Sequence, residues 1–125
     1  MSHRLDAIRH ANPRFLLLYS PLQFGENEIA KPDGSLSLAY VAGSLRAAGF
    51  EVEVLDCSVG GENDDLKDTF FRSTLLPSGL YRVGMSPDAI AAKIAQYDVI
   101  GVSSIFCPQT TMVLEVIRLA KQVDP

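Results

Sequence analysis

Residues 97–125 read YDVIGVSSIFCPQTTMVLEVIRLAKQVDP, which places an apolar strand, a short loop and a helical pattern in direct succession. Two apolar runs, Phe15–Tyr19 and Val99–Val102, lack polar alternation, so they predict strands covered on both faces of a parallel sheet. A third run, Glu51–Asp56, alternates charged and apolar residues and is typical of an edge strand. Helical patterns separate the three strands, which favours right-handed crossovers and a doubly wound α/β fold.

These strands predict a flavodoxin-like (Rossmann-like) parallel sheet in the order 2-1-3. Sheets commonly carry about four to six strands, yet the sequence shows only these runs. We therefore expect residues 15–125 to be the first part of a cofactor- or nucleotide-binding α/β domain whose remaining strands follow Pro125. Residues 1–14 are polar and are expected to be a tail or a short helix outside the core. The third strand should have one unpaired edge, which favours pairing with a second copy of the chain.

Apolar residues at helical spacing predict a helix after the first strand. Ser35 or Ser37 is a suitable N-cap for this helix, and Gly49 is a suitable C-terminal stop. Tyr40 within the helix and Phe50 after it are expected in the core.

The second half of the chain contains one segment without a clear pattern and two predicted helices. Residues 66–81 have weak periodicity, and we assign them no regular element. Ser86–Asp88 predicts the start of a helix that ends near Gln96, with proline at its first position. The last helix is expected to have an apolar inner face formed by Val113, Val116, Ile117 and Ala120.

The composition disfavours several classes of protein. The 125 residues carry 11 Lys and Arg against 15 Asp and Glu, with a net charge of -4 and a pI near 5.0, so binding to nucleic acid or to an anionic membrane is not expected. No apolar run approaches the roughly 20 residues of a membrane span, and no signal-peptide pattern is present, so we expect a cytoplasmic protein. Cys57 and Cys107 belong to no metal-ligand motif and are expected to be free thiols.

Ligands of open parallel sheets bind at the carboxyl ends of the strands, where the strand order reverses. Two loops border that position, at residues 20–35 and 103–109. Neither loop carries a dinucleotide glycine fingerprint, a Gly-Lys-Ser/Thr phosphate loop, a flavodoxin-type phosphate loop or the acidic set of a phosphoacceptor receiver. The remaining interpretation is a crevice with apolar walls and a few hydroxyls, which favours a large, flat, partly apolar ligand.

Three segments carry a family resemblance: Leu16–Pro21, Leu36–Asp56 and Tyr97–Ser103. In this order they resemble the N-terminal cobalamin-binding domain of the cobalamin-dependent radical S-adenosylmethionine enzymes, a family that includes methyltransferases and the anaerobic cyclase of bacteriochlorophyll synthesis. The resemblance spans residues 15–125, and it implies a corrinoid lying across the carboxyl edge of the sheet. The residues here that would contact the corrinoid are Pro21, Leu22, Gln23, Ser35, Leu36, Ser37, Leu38, Ser103, Ser104, Ile105 and Phe106.

The same resemblance implies which parts of such an enzyme this chain does not supply. The D-x-H-x-x-G motif is absent, so no histidine of that loop would ligate cobalt. The C-x-x-x-C-x-x-C motif is also absent, so S-adenosylmethionine and a [4Fe-4S] cluster would be bound by a downstream radical domain of the same protein. The chain is then a cofactor-holding module without catalytic residues of its own.

Two other functions stay open at the level of sequence. The first is a non-catalytic α/β domain that binds a partner protein, and the second is the N-terminal half of a nucleotide-sugar transferase. Fold alone does not separate them from a corrinoid module. A nucleotide-sugar binder is expected to respond to a UDP-sugar and not to cobalamin.

Overall fold

The structure is a computed structural model that describes residues 2–28, 36–104 and 107–125. Its helices are α1 Ser2–Ala11, α2 Leu36–Ala47, α3 Pro87–Ile94 and α4 Thr110–Val123, with short 3-10 turns at Leu66–Asp68 and Cys107–Gln109. Its strands are β1 Arg14–Tyr19, β2 Leu22–Phe24, β3 Glu51–Asp56, β4 Ser73–Leu75, β5 Tyr81–Val83 and β6 Val99–Ser103. Over the described ranges, no helix has both the length and the apolar character needed to cross a bilayer.

Three strands form a parallel sheet in the order β3-β1-β6. In the central strand β1, Tyr19 pairs with Asp56 on one side and with Ser103 on the other. Because the strands run in the same direction, all three end at one edge of the sheet. The order and the intervening helices confirm the predicted fold class, an α/β sheet of flavodoxin-like topology.

The sheet is buried on both faces along β1. Leu16 and Leu18 point to the face that carries α3 and α4, where they pack with Ile90 and Val116. Leu17 and Tyr19 point to the opposite face, which is covered by α2 through Leu38 and Ala42. This double burial accounts for the uninterrupted apolar run of β1. Helix α1 contributes no described residue to either core cluster.

Two predicted helix boundaries are confirmed. Gly49 has a φ of 92°, and its N–H donates to the carbonyl of Arg46 at 2.9 Å, which closes the end of α2. Ser86 is the N-cap of α3, because its hydroxyl oxygen accepts from the N–H of Ala89 at 3.2 Å and Pro87 follows at the first helical position.

The core prediction for α2 was wrong at one residue. Tyr40 is 72% exposed, because it lies on the side of the helix opposite Leu38, which is 7% exposed and faces the sheet. Phe50 does pack against the core, with its ring centroid 5.2 Å from that of Phe15 in an edge-to-face arrangement.

Fewer residues of the predicted inner face of α4 are buried than expected. Val113 and Val116 are buried and Ala120 is partly buried, but Ile117 is 40% exposed. Ile117 lies beside the edge of β6 that has no partner among the described strands. Its predicted burial was wrong because no described element covers this side of the sheet.

A second, antiparallel sheet has the order β2-β5-β4, and the sequence did not predict it. We call it the cap sheet. Only Ser20 and Pro21 separate its first strand from β1, and β4 together with the start of β5 comes from residues 66–81, to which no element was assigned. The N–H of Met85, two residues after β5, donates to the carbonyl of Cys57 at 2.7 Å. The cap sheet is therefore attached directly to the end of β3.

Gly84 allows this close attachment. Its φ is 136°, a conformation that side chains disfavour, and an added Cβ would lie 2.5 Å from the carbonyl oxygen of Cys57 and 3.2 Å from the Cβ of Pro21. A residue with a side chain at this position would have to push the cap sheet away from the ends of β1 and β3.

Candidate functional site

The carboxyl edge of the parallel sheet is formed by Tyr19, Asp56 and Ser103, which lie in register. The strand order reverses here between β1 and β6, which is the usual ligand position in such sheets. The structure therefore brings the loops after β1 and β6 together, as the sequence predicted. It also divides this edge into a covered half and an open half.

The covered half lies at the ends of β1 and β3. Ser20 is 3% exposed, and Pro21, Cys57 and Ser58 are fully buried under the cap sheet. The side chain of Asp56 stays within its own turn, since it accepts from both the N–H and the hydroxyl of Ser58, at 2.9 and 2.6 Å. A ligand has no access to these groups in this conformation.

The cap-sheet strand β2 and the 3-10 turn after β6 are joined by hydrogen bonds of Gln23 with Pro108 and Gln109, which we call the clasp. The Gln23 N–H donates to Oε1 of Gln109 at 2.7 Å, and Nε2 of Gln109 donates back to the Gln23 carbonyl at 3.1 Å. Nε2 of Gln23 also donates to the carbonyl of Pro108 at 2.7 Å. The clasp occupies the backbone N–H and the side-chain amide N–H of Gln23, so a ligand that used them would have to replace these bonds.

The open half lies at the end of β6. Ser103 is partly exposed and Ser104 is exposed, and neither hydroxyl bonds to another described residue. Two further residues of the proposed ligand set, Ile105 and Phe106, lie outside the described residues.

The remaining candidate residues lie at the start of α2. Leu36 is 70% exposed and Ser37 is exposed, whereas Leu38 is 7% exposed and packs in the core. Ser37 lies inside the helix, so it is not the N-cap; Ser35, the other N-cap candidate, lies outside the described residues. Leu22, the last member of the predicted set, is the first residue of the cap-sheet strand β2 and is 5% exposed.

A buried ion pair connects the cap sheet to α4. Nε of Arg82 donates to both carboxylate oxygens of Glu115, at 3.2 and 3.1 Å, and the Arg82 side chain is only 8% exposed. Nη2 of Arg82 is buried without a hydrogen-bond partner among the described residues. The pair neutralises a charge that would otherwise be costly to bury under the cap.

Cys57 shows how little water reaches the covered half. Burial raises the pKa of its thiol from the ordinary 9.0 to about 12, and the nearby Asp56 carboxylate acts in the same direction. The Arg82 guanidinium partly opposes the shift. Cys57 is therefore a protonated, inert thiol at neutral pH, whereas Cys107 is exposed; both are free, as predicted.

The described residues contain no group of three or more His, Cys, Asp or Glu side chains arranged to hold a metal ion. His3 and His10 both lie on α1, outside the carboxyl edge, and Nδ1 of His10 bonds to the carbonyl of Asp6 at 2.8 Å.

Sequence reasoning missed Arg82, Glu115 and Gln109, the residues that close the covered half. The strand that carries Arg82 has only the residues Tyr81–Val83, which is too short for a two-residue periodicity to be recognised. The partners are 33 residues apart for the ion pair and 86 for the clasp, so no local pattern connects them.

Comparison with known proteins gives one relevant similarity. Over 118 residues, 90% of this chain, the sequence is 30% identical to cytidylyl-2-hydroxyethylphosphonate methyltransferase of Streptomyces wedmorensis. The chain spans only 20% of the length of that curated relative. No family model and no solved structure matches the chain. The chain is thus similar, over nearly all of its length, to one segment of a methyltransferase.

Proposed function

We propose that this chain is the corrinoid-holding unit of a larger cobalamin-dependent radical S-adenosylmethionine enzyme. The observation that carries the proposal is the order β3-β1-β6, which places the loops after β1 and β6 at the position where such sheets bind their ligands. The similarity to a methyltransferase supports it, because the family that the sequence resembles includes methyltransferases.

The described residues fit a corrinoid in the open half of the carboxyl edge. Ser103 and Ser104 offer hydroxyls that make no bond to another described residue, whereas the amide groups of the clasp are already bonded to one another. Leu36, which is 70% exposed, would add an apolar contact. This donor set suits a ring with neutral amide substituents.

In this proposal Pro21 and Leu22 are buried and do not contact the corrinoid directly; they hold β2 against the end of β1. Cobalamin supplies the cobalt-centred chemistry when it is bound, and this chain binds and orients it. S-adenosylmethionine and a [4Fe-4S] cluster belong to a domain further along the polypeptide.

The proposal also gives the free edge of β6 a partner. A groove of about 530 Å³ lies along this edge, with Ile100, Val102 and Ile117 among its lining residues. Further strands of a longer polypeptide would pair with β6 and cover these side chains. Those strands would complete the side of the crevice next to β6.

The test uses the natural full-length protein, purified from a host supplied with cobalamin. We expect about one bound corrinoid per chain by visible absorbance, and weak or no binding of hydroxocobalamin by the 125-residue chain alone. Ser104→Trp should lower the corrinoid affinity of the full-length protein at least about tenfold, because the indole fills the open half. Ser44→Trp, at an exposed position of α2, should leave the affinity unchanged.

A full-length protein without corrinoid would contradict the proposal. Binding of a UDP-sugar with no binding of hydroxocobalamin would favour the nucleotide-sugar transferase instead.

A further inference from the structure

A second cavity lies between α4, the start of α3 and the turn that joins β4 to β5. Its volume is about 490 Å³, within the range of about 300–1,000 Å³ that is typical of small-molecule sites. It shares only Gln23 with the residues assigned to the corrinoid. Most of its wall is apolar, formed by Leu76, Pro77, Leu80, Pro87, Met112 and Leu119.

The walls of this cavity are held in place without a ligand. The turn is closed by the N–H of Leu76, which donates to the carbonyl of Leu80 at 2.8 Å, and by the N–H of Gly79, which donates to the carbonyl of Leu76 at 2.9 Å. Pro77 in the turn and Pro87 at the start of α3 have fixed φ angles. A cavity that is already formed binds its ligand without first paying for the ordering of its walls.

One of the two charged side chains that line the cavity has no ion-pair partner among the described residues. Glu115 lines it, but its carboxylate is already paired with Arg82 at 3.1 Å. Arg118 lines it one turn away on α4, is exposed, and forms no ion pair with a described residue. The lining therefore has one unpaired positive charge at the margin of an apolar surface.

We infer that this cavity binds an apolar small molecule that carries a single acidic group. The apolar part contacts Leu80, Met112 and Leu119, and the acidic group lies against the guanidinium of Arg118, which can donate two parallel hydrogen bonds to it. A neutral ligand would leave Arg118 unpaired, and a cationic one would be repelled. The inference does not rest on the proposed corrinoid function, and its test contains no corrinoid.

The test compares two fluorescent probes with the same ring system, anilinonaphthalene sulfonate and the neutral phenylnaphthylamine. The unmodified chain should bind the sulfonate saturably, with a stoichiometry of one. Arg118→Gln should weaken binding of the sulfonate about two- to fivefold, as expected for one exposed charge contact. The same variant should leave the affinity for phenylnaphthylamine unchanged.

Matched controls are available on the same elements. Lys121→Gln removes a cation from the next turn of α4, outside the cavity, and should leave sulfonate binding unchanged. Leu76→Asp, in the cavity wall, should weaken both probes roughly tenfold, because it places a carboxylate in the apolar surface. Leu75→Asp changes the neighbouring residue, which is 62% exposed and does not line the cavity, and should have no effect.

Equal losses for Arg118→Gln and Lys121→Gln would overturn the inference, because the effect would then be one of net charge. Equal affinities for Leu76→Asp and Leu75→Asp would place the probe elsewhere and would also overturn it. If Leu76→Asp does not fold, as judged by circular dichroism, the decision rests on Arg118→Gln with the two probes, since Arg118 is exposed on the helix surface.

Discussion

The β3 side and the β6 side of the parallel sheet differ in their covering elements and in their charged residues. On the β3 side, the cap sheet covers the carboxyl end, and Glu53 is paired with Lys93 at 3.1 Å and accepts a hydrogen bond from the hydroxyl of Tyr97. On the β6 side, no described residue covers Ser104 at the carboxyl end, and the strand Val99–Ser103 has no charged residue. Val99 and Ile117 are each 40% exposed there, as is Val54 on the β3 side, so the sides differ in their charges and in the cap sheet rather than in apolar exposure.

This difference distinguishes β3, which has the features of an edge strand, from β6, which has the features of a strand that pairs with a further strand. Edge strands of stable sheets are protected by charges or covering elements, because a bare edge pairs with other chains. β3 has such charges and β6 has none. We infer that the β6 edge is better suited to a further strand than the β3 edge, where Glu53 and Lys93 lie.

The largest expected difference between the two sides is in the reactivity of their cysteine thiols. Cys57 is fully buried beneath the cap sheet and Cys107 is exposed after β6. We expect iodoacetamide to modify Cys107 at least about a thousandfold faster than Cys57 at pH 8, since Cys57 reacts only when the structure opens. Mass spectrometry of timed samples measures both rates, with Cys57→Ser and Cys107→Ser as controls.

The raised pKa of Cys57 adds a pH dependence. Below pH 9 the thiol is protonated in both the folded and the unfolded chain, so it does not change the stability. Between about pH 9 and pH 12 the unfolded chain loses this proton while the folded chain keeps it, so the free energy of unfolding falls as the pH rises. Cys57→Ser should remove this part of the alkaline loss of stability.

For the labelling experiment, comparable rates of reaction of Cys57 and Cys107 with iodoacetamide would contradict the covered state of the β3 side.

Gly84→Ala should have the next largest effect, through the attachment of the cap sheet. The new Cβ would lie 2.5 Å from a backbone oxygen at a φ of 136°, so we expect a loss of about 3 kcal/mol, or roughly a hundredfold in the folding equilibrium. Urea denaturation measures it. Gly43→Ala in α2 is the control, since nothing lies within 4 Å of its Cβ, and it should stabilise the chain by about 0.5–1 kcal/mol. Equal stabilities of the two variants would show that the cap sheet does not press on β3.

The smallest effect concerns self-association through the bare edge of β6. We expect the chain to form dimers at high concentration, and Ile117→Lys to weaken the dimer about tenfold, because it places a charge in the groove beside β6. Leu114→Lys is a matched control on the same helix, with 43% exposure and no contact with the groove. Light scattering after size exclusion measures the dimer fraction. Compact monomers at every concentration, or equal effects of the two variants, would count against a β6 interface.

The sequence predicted those elements that depend on local patterns, and it failed where burial depends on a neighbouring strand. The apolar runs of β1 and β6, the Gly49 stop and the Ser86 cap are local signals, and each defined its element correctly. Ile117 was assigned to the core because its helical spacing is apolar, but spacing does not show whether a neighbouring strand is present.

The candidate site was predictable only as a position. Its loops follow from the order of the strands, so the sequence indicated that residues after β1 and β6 meet. The clasp of Gln23 with Gln109 and the pair of Arg82 with Glu115 depend on contacts between distant segments. These contacts decide which candidate residues are covered, and no local pattern contains them.

The short connection through Ser20 and Pro21 has a consequence for the dynamics of the chain. Both residues are buried, so a movement of the cap sheet away from the end of β1 would expose them to water. The cap sheet therefore does not swing away as a separate lid. We expect it to unfold together with the central strand, so the amide protons of β5, where Arg82 and Val83 are buried, should be protected from exchange nearly as strongly as those of β1.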